Sequence, residues 1–129
     1  MITEDYCSFE VAKLLKEKGF DKFNTYGWDE QLFDKDHPRN FSIGFDNKEH
    51  WISCPSQSMA MKWLREVYGL HISLEPCYDY DSMHVVFLAF VQNVADVHEF
   101  FDGRKNVASY PNAEKSYELA IKYCLENLI

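Results

Sequence analysis

The sequence predicts an α+β protein, a mainly antiparallel sheet of four to five strands with three helices, in the order α-β-β-β-α-β-β-α. Three observations carry that expectation. Amphipathic stretches with the 3.6-residue period stand near both ends and in the middle of the chain. Alternating or continuous apolar runs of strand length lie between them, and the connections are short, polar and turn-forming. With 129 residues, 47% of them hydrophobic, and 3 Trp, 8 Tyr and 10 Phe, the chain can bury a core unaided. Residues 1–129 are therefore expected to form a single globular domain.

The elements follow in order. Thr3 to Lys18 reads as a helix, with Cys7, Val11, Leu14 and Leu15 on one stripe and Glu10, Lys13, Lys16 and Glu17 opposite. Gly19 supplies the stop, and Phe20 resumes the apolar pattern. Lys22 to Trp28 is an imperfectly alternating strand, and Asp29 to Arg39 a polar loop. Phe41, Ile43 and Phe45 alternate with Ser42 and Gly44, and after a turn at Asp46 to Glu49 the stretch His50 to Ser53 returns as a partner. Pro55 and Ser56 introduce a helix over Ser56 to Tyr68, its stripe Ala60, Trp63, Leu64 and Val67, its stop Gly69. Leu70, Ile72 and Leu74 then alternate with His71, Ser73 and Glu75 as a half-buried strand. Pro76 to Ser82 is a turn, and Met83 to Val91 a strand apolar on both faces, as if covered twice. Between Asn93 and Tyr110 a further strand or a short helix around Val97 to Phe101 fits equally well. Asn112 caps a last helix that carries Tyr117, Ala120, Ile121, Cys124, Leu125 and Leu128 on one face.

Three blocks, Ile2 to Phe20, Pro55 to Glu75 and Ala120 to Ile129, together cover 50 of the 129 residues. They resemble a family of small uncharacterised proteins encoded in gut-bacterial genomes, often in phage-like or mobile-element surroundings. The last helix departs from the family pattern, because it opens Asn112-Ala113-Glu114-Lys115-Ser116 and so has a weaker acidic first turn. The resemblance implies a mobile-element context and brings no catalytic residue.

Composition excludes several activities. A net charge of -8, from 13 basic and 21 acidic residues, opposes neutralising a phosphate backbone, so no direct nucleic-acid binding is expected. The small basic groups Lys13/Lys16/Lys18 and Arg104/Lys105 each have acids nearby. The longest apolar run, Val85 to Val91, falls far short of a membrane span. No N-terminal stretch has the basic start and apolar run of an export signal, so a cytoplasmic location is expected, with the four cysteines reduced. Cys7, Cys54, Cys77 and Cys124 form no CxxC pair and read as structural thiols.

Candidate chemistry is sparse. His71 and His84, at strand ends expected to face each other, could join Glu75, Asp79 or Asp81 around zinc or iron, yet no HxH or HExxH spacing occurs. Cys54 precedes a helix, with His50 four residues back, but a buried strand-end cysteine explains it better. Phosphate loops and a G-x-S-x-G elbow are absent, and Glu75 to Asp81 lacks the glycine and terminal glutamate of an EF-hand. No metal and no cofactor are expected. The best surface candidate is the acidic-aromatic turn of Tyr78, Asp79, Tyr80 and Asp81, suited to a protein partner of basic character. A second is the acidic loop of Asp29, Glu30, Asp34 and Asp36. The leading expectation is a non-enzymatic protein-interaction module, with self-association also open. The alternatives are an acidic DNA mimic that inhibits a nucleic-acid-binding protein, and a small metal-dependent enzyme using the His71/His84 region.

Overall fold

The computed structural model describes residues 5–20, 26–29, 38–40, 50–94 and 106–129. Helix α1 spans Phe9–Glu17, and strands β1, β2 and β3 span Tyr26–Asp29, Arg39–Asn40 and Trp51–Ser53. Helix α2 is Gln57–Tyr68, and strands β4, β5 and β6 are Leu70–Asp79, His84–Asn93 and Asn106–Tyr110. Helix α3, Ala113–Tyr123, runs on into a single π-helical turn, Cys124–Leu128. The α+β class is as the sequence predicts, and every strand pair is antiparallel. The strands divide between two three-stranded sheets, β2-β1-β3 and β4-β5-β6.

Local chemistry sets the helix ends. The Ser8 hydroxyl accepts from the Val11 N–H at 3.3 Å, so α1 starts at Phe9 rather than Thr3. The residues before it are extended instead: Cys7 N–H donates to the Pro55 carbonyl and Gln57 N–H to the Asp5 carbonyl. At the other end Gly19, at φ 101°, lets Phe20 N–H reach the Leu15 carbonyl at 2.9 Å. Ser56 caps α2 through Met59 N–H, Gly69 ends it in the left-handed region, and Asn112 caps α3 through Lys115 N–H.

Helices α2 and α3 lie across one face of the larger sheet, α2 along β4 and α3 over all three strands. The covered face contributes Leu70, Ile72, Ala89, Val91 and Ala108, packed against Leu64, Ile121 and Leu125 of the helices and the π turn. Helix α1 joins this core to a second one. Val11 and Leu15 enter the main core, while Ala12 packs with Trp28, Ile52 and Cys54 beneath the small sheet. Phe9 meets Trp28 edge-on, with ring centroids 5.5 Å apart.

Two expectations are corrected. Val67 is 57% exposed rather than part of the buried stripe of α2. Tyr68 folds back there instead, packing on Trp63 and donating to the Lys18 carbonyl. Strand β4 continues through Pro76 to Asp79, where a turn was expected to begin at Pro76. It is an edge strand, so the missing N–H of proline costs no ladder bond when it faces outward. Strand β5 buries Ala89 and Val91 toward the helices, and on its opposite face Val86 is 8% exposed. Within Asn93 to Tyr110, the described strand is β6. The predicted Phe41 to Phe45 strand, the element at Val97 to Phe101, most of the Asp29 to Asp36 loop and Arg104/Lys105 lie outside the described residues.

Gly27 in β1 has no room for a side chain. A Cβ there would collide with the Ile52 carbonyl oxygen and approach Ser53 Cα to 3.0 Å, both backbone atoms that no rotamer change can move. Gly27→Ala is expected to cost about 3 kcal/mol in denaturant unfolding, at the upper end for overpacking. A loss under about 0.5 kcal/mol, the range of an ordinary surface substitution, would show that the β1–β3 approach is not fixed.

Candidate functional site: a projecting hairpin arm

The pairing register makes one part of the larger sheet stand out. Strands β4 and β5 pair from Leu70↔Asn93 to Asp79↔His84, but β6 reaches only as far as Phe87, opposite Pro76. Three rows beyond it, Cys77↔Val86, Tyr78↔Val85 and Asp79↔His84, project as a two-stranded ribbon roughly 10 Å long. On the ribbon's helix side Tyr78 and Val85 form a cross-strand pair, 43% and 49% exposed. At the tip Tyr80 and Met83 are 81% and 66% exposed. The Tyr78 and Tyr80 rings meet edge-on with centroids 4.9 Å apart, and the Tyr78 hydroxyl lies 3.7 Å from Met83 Sδ. Four large apolar side chains thus form one exposed cluster.

Asp79 organises the turn. Its backbone carbonyl accepts from Met83 N–H at 2.8 Å, a single helical turn that is not continued. Its carboxylate takes Asp81 N–H on Oδ1 at 3.1 Å and the Ser82 hydroxyl on Oδ2 at 2.9 Å. Met83 closes the loop at φ 61°, a left-handed conformation that costs a residue other than glycine about 1–2 kcal/mol. Those hydrogen bonds offset the cost, as Asp side chains do in turns.

Of the four residues singled out by sequence, Tyr78, Tyr80 and Asp81 are exposed, whereas both oxygens of Asp79 are used inside the turn. Met83 and Val85 belong to the same surface and were missed. Their signal was present in the sequence, since reading β4 to Asp79 puts Val85 beside Tyr78, but Pro76 hid it.

The histidine constellation does not assemble. His71 pairs with Gln92 and His84 with Asp79, so the two share the face away from the helices but stand eight rows apart, roughly 26 Å. Among the described residues no group of three or more His, Cys, Asp or Glu is placed to hold a metal ion. His37 and His98 lie outside the described residues.

The buried thiols are not activated. Cys54 is 1% exposed and its thiol donates to the Cys7 carbonyl. Burial, with the nearby Glu118 carboxylate, pushes its pKa up to about 12, and burial pushes Cys124 to about 12 as well. Cys7 is raised further by burial, then by Glu118 and Cys54. Cys77 alone of the four is exposed.

An open groove of about 510 Å³ runs between β6 and the end of α3, lined in part by Tyr110, Leu119, Tyr123 and Asn127. Its cation, Lys122, is already bound by Glu10 at 2.7 Å and Glu126 at 3.7 Å, which raise its pKa despite some opposing desolvation. The groove offers no unspent acid–base pair of the kind proton transfer needs.

Comparison of the chain with protein-family models, with curated proteins and with solved structures finds no match. The hairpin arm therefore stands on its own geometry.

Two outcomes follow from this geometry. Asp79→Ala removes two turn hydrogen bonds and leaves Met83 strained, so it should cost about 1–2 kcal/mol, with amide exchange at Asp81 and Met83 accelerating first. Unchanged exchange there would contradict the role given to Asp79. The thiols predict an alkaline limit. Below pH 9.0, the ordinary thiol value, they are protonated folded or unfolded and add no pH dependence. Above it the unfolded chain ionises while the folded one does not, and each such group then costs about 1.4 kcal/mol per pH unit. Stability measured in denaturant should fall from pH 9 upward, less steeply in Cys124→Ala; a flat profile would contradict the burial of these thiols.

Proposed function

We propose that the protein is a non-enzymatic interaction module that docks another protein through the β4–β5 arm. One observation carries the reading. Of the eleven exposed large apolar side chains among the described residues, four lie within Tyr78 to Val85, at the end of a ribbon that extends beyond β6. Contiguous exposed apolar surface marks interaction sites, whereas scattered single residues do not. Tyrosine and methionine are also enriched at protein interfaces, where they supply large contact area.

The two alternatives have less support. A metal-dependent enzyme at His71 and His84 would have to bring together side chains at opposite ends of the hairpin. A DNA mimic needs acids lined up at phosphate-like spacing, whereas Glu66 is paired with Lys62, and Glu10 and Glu126 with Lys122. No helix among the described residues is long and apolar enough to cross a membrane. A cytoplasmic location and a mobile-element origin complete the proposal and rest on sequence alone.

The test is affinity capture from extracts of the native host, wild type against Tyr80→Ser/Met83→Ser. Both positions touch only the tip, so thermal stability should shift by no more than a few degrees. A partner retained by wild type and lost at least about tenfold in the variant, the effect of one interface hot spot, supports the arm. Equal retention by both proteins would overturn it.

A further inference from the structure

Charge is unevenly distributed along this chain. Between Arg65 and Arg104 there is no Lys or Arg, while seven of the 21 acidic residues fall in that interval. The remainder is nearly balanced, with 14 acids against 13 bases. The interval contains the whole β4–β5 hairpin, so the arm has carboxylates and no lysine or arginine of its own.

Two of those carboxylates are unspent. Asp79 is consumed within the turn, but the exposed side chains of Glu75 and Asp81 have no ion-pair or hydrogen-bond partner among the described residues. Asp81 is held by its N–H to Asp79 and directly follows Tyr80. Tyr80, leaning edge-on against Tyr78 and 81% exposed, offers ring surface to solvent one residue before that carboxylate in the chain. An exposed aromatic ring and a carboxylate on consecutive residues of a tight turn are the groups that receive a cation on an aliphatic or planar stem.

We propose that the arm recognises a basic segment of its partner, with an arginine or lysine seated on the Tyr80 ring and its charge met by Asp81. Apolar carbons flanking that cation pack on Tyr78, Met83 and Val85. The proposal rests on the reading of the arm as a docking surface and names the chemistry of what docks. Arginine fits better than lysine, because a planar guanidinium stacks on the ring while its N–H groups reach the carboxylate. A second copy fits poorly, since two arms would bring Asp81 against Asp81. A phosphate backbone is excluded by sign.

The experiment uses the full chain, isotopically labelled for NMR, titrated with the peptide Gly-Arg-Leu-Arg-Leu-Arg-Gly and with matched peptides bearing Gln or Glu in place of Arg. The arginine peptide should shift backbone resonances confined to residues 75–86. Its affinity should fall at least about fivefold between about 50 and 300 mM salt, as exposed charge pairs are screened. Asp81→Asn should weaken binding at least about threefold and Tyr80→Ser at least about fivefold, while Glu66→Gln on α2 leaves it unchanged. Equal binding of the Gln peptide at the arm overturns the basic partner but keeps the docking surface. Shifts spread over the acidic surface, no shift with any peptide, or Asp81→Asn binding like wild type overturn the proposal outright. The capture experiment with the double tip variant decides the docking surface independently. Concentration-dependent shifts without peptide would assign the arm to a second copy, and also overturn the proposal.

Discussion

One carboxylate ties the three helices together. Glu118 of α3 accepts the Ser8 N–H at the start of α1 on Oε1 at 2.8 Å, and the Gln57 side-chain amide at the start of α2 on Oε2 at 3.4 Å. The same amide donates to the Glu114 carbonyl at 2.8 Å, so the buried Gln57 is tied to α3 twice. A negative charge placed where two helices begin satisfies the backbone N–H of Ser8 at α1 and meets the positive end of both dipoles. Helix α1 in turn divides its apolar face between the two cores. The small sheet is thus connected to the large one through an element whose own start depends on α3. The same charge, close to Cys7 and Cys54, helps keep those thiols protonated.

Much of this architecture was legible because local chemistry and global packing agree. Ser56, Gly69 and Asn112 are the helix signals the sequence displays, and each forms the cap its type predicts. Leu70, Ile72 and Leu74 alternate in the strand that buries their face. The failures have specific causes. Periodicity carried α1 back to Thr3 because it cannot tell a helical turn from an extended segment that happens to bury Cys7. Pro76 reads as a breaker unless the strand is known to lie at an edge. The junction at Glu118 was invisible, since its partners are 110 and 61 residues away in sequence and a half-exposed glutamate on a helix looks like solvated surface.

The arm was half legible. Its tyrosines and acids announce themselves by composition, while the division of labour among them does not. Asp79 and Asp81 look equivalent in sequence, yet one is the keystone of a turn and the other is exposed, with no side-chain partner among the described residues. The base of the arm is a three-stranded sheet backed by α2 and α3, so the tip is presented from a fixed platform. The exposed cluster needs only two-stranded support over three rows, short enough for cross-strand pairs such as Tyr78 and Val85 to sustain.

Among the described residues, the hydrogen bonds and ring contacts that shape the tip all lie close by in the chain. Asp79 reaches Asp81, Ser82 and Met83, and Tyr78 reaches Tyr80 and Met83, all within five residues. Contacts of such short range form on the timescale of hairpin closure, without waiting for the distant pairings that complete the core. The tip is in this sense a cassette. The tip contacts at residues 80–83 do not involve the junction at Glu118, so a change there acts on the turn and leaves the link between the helices in place.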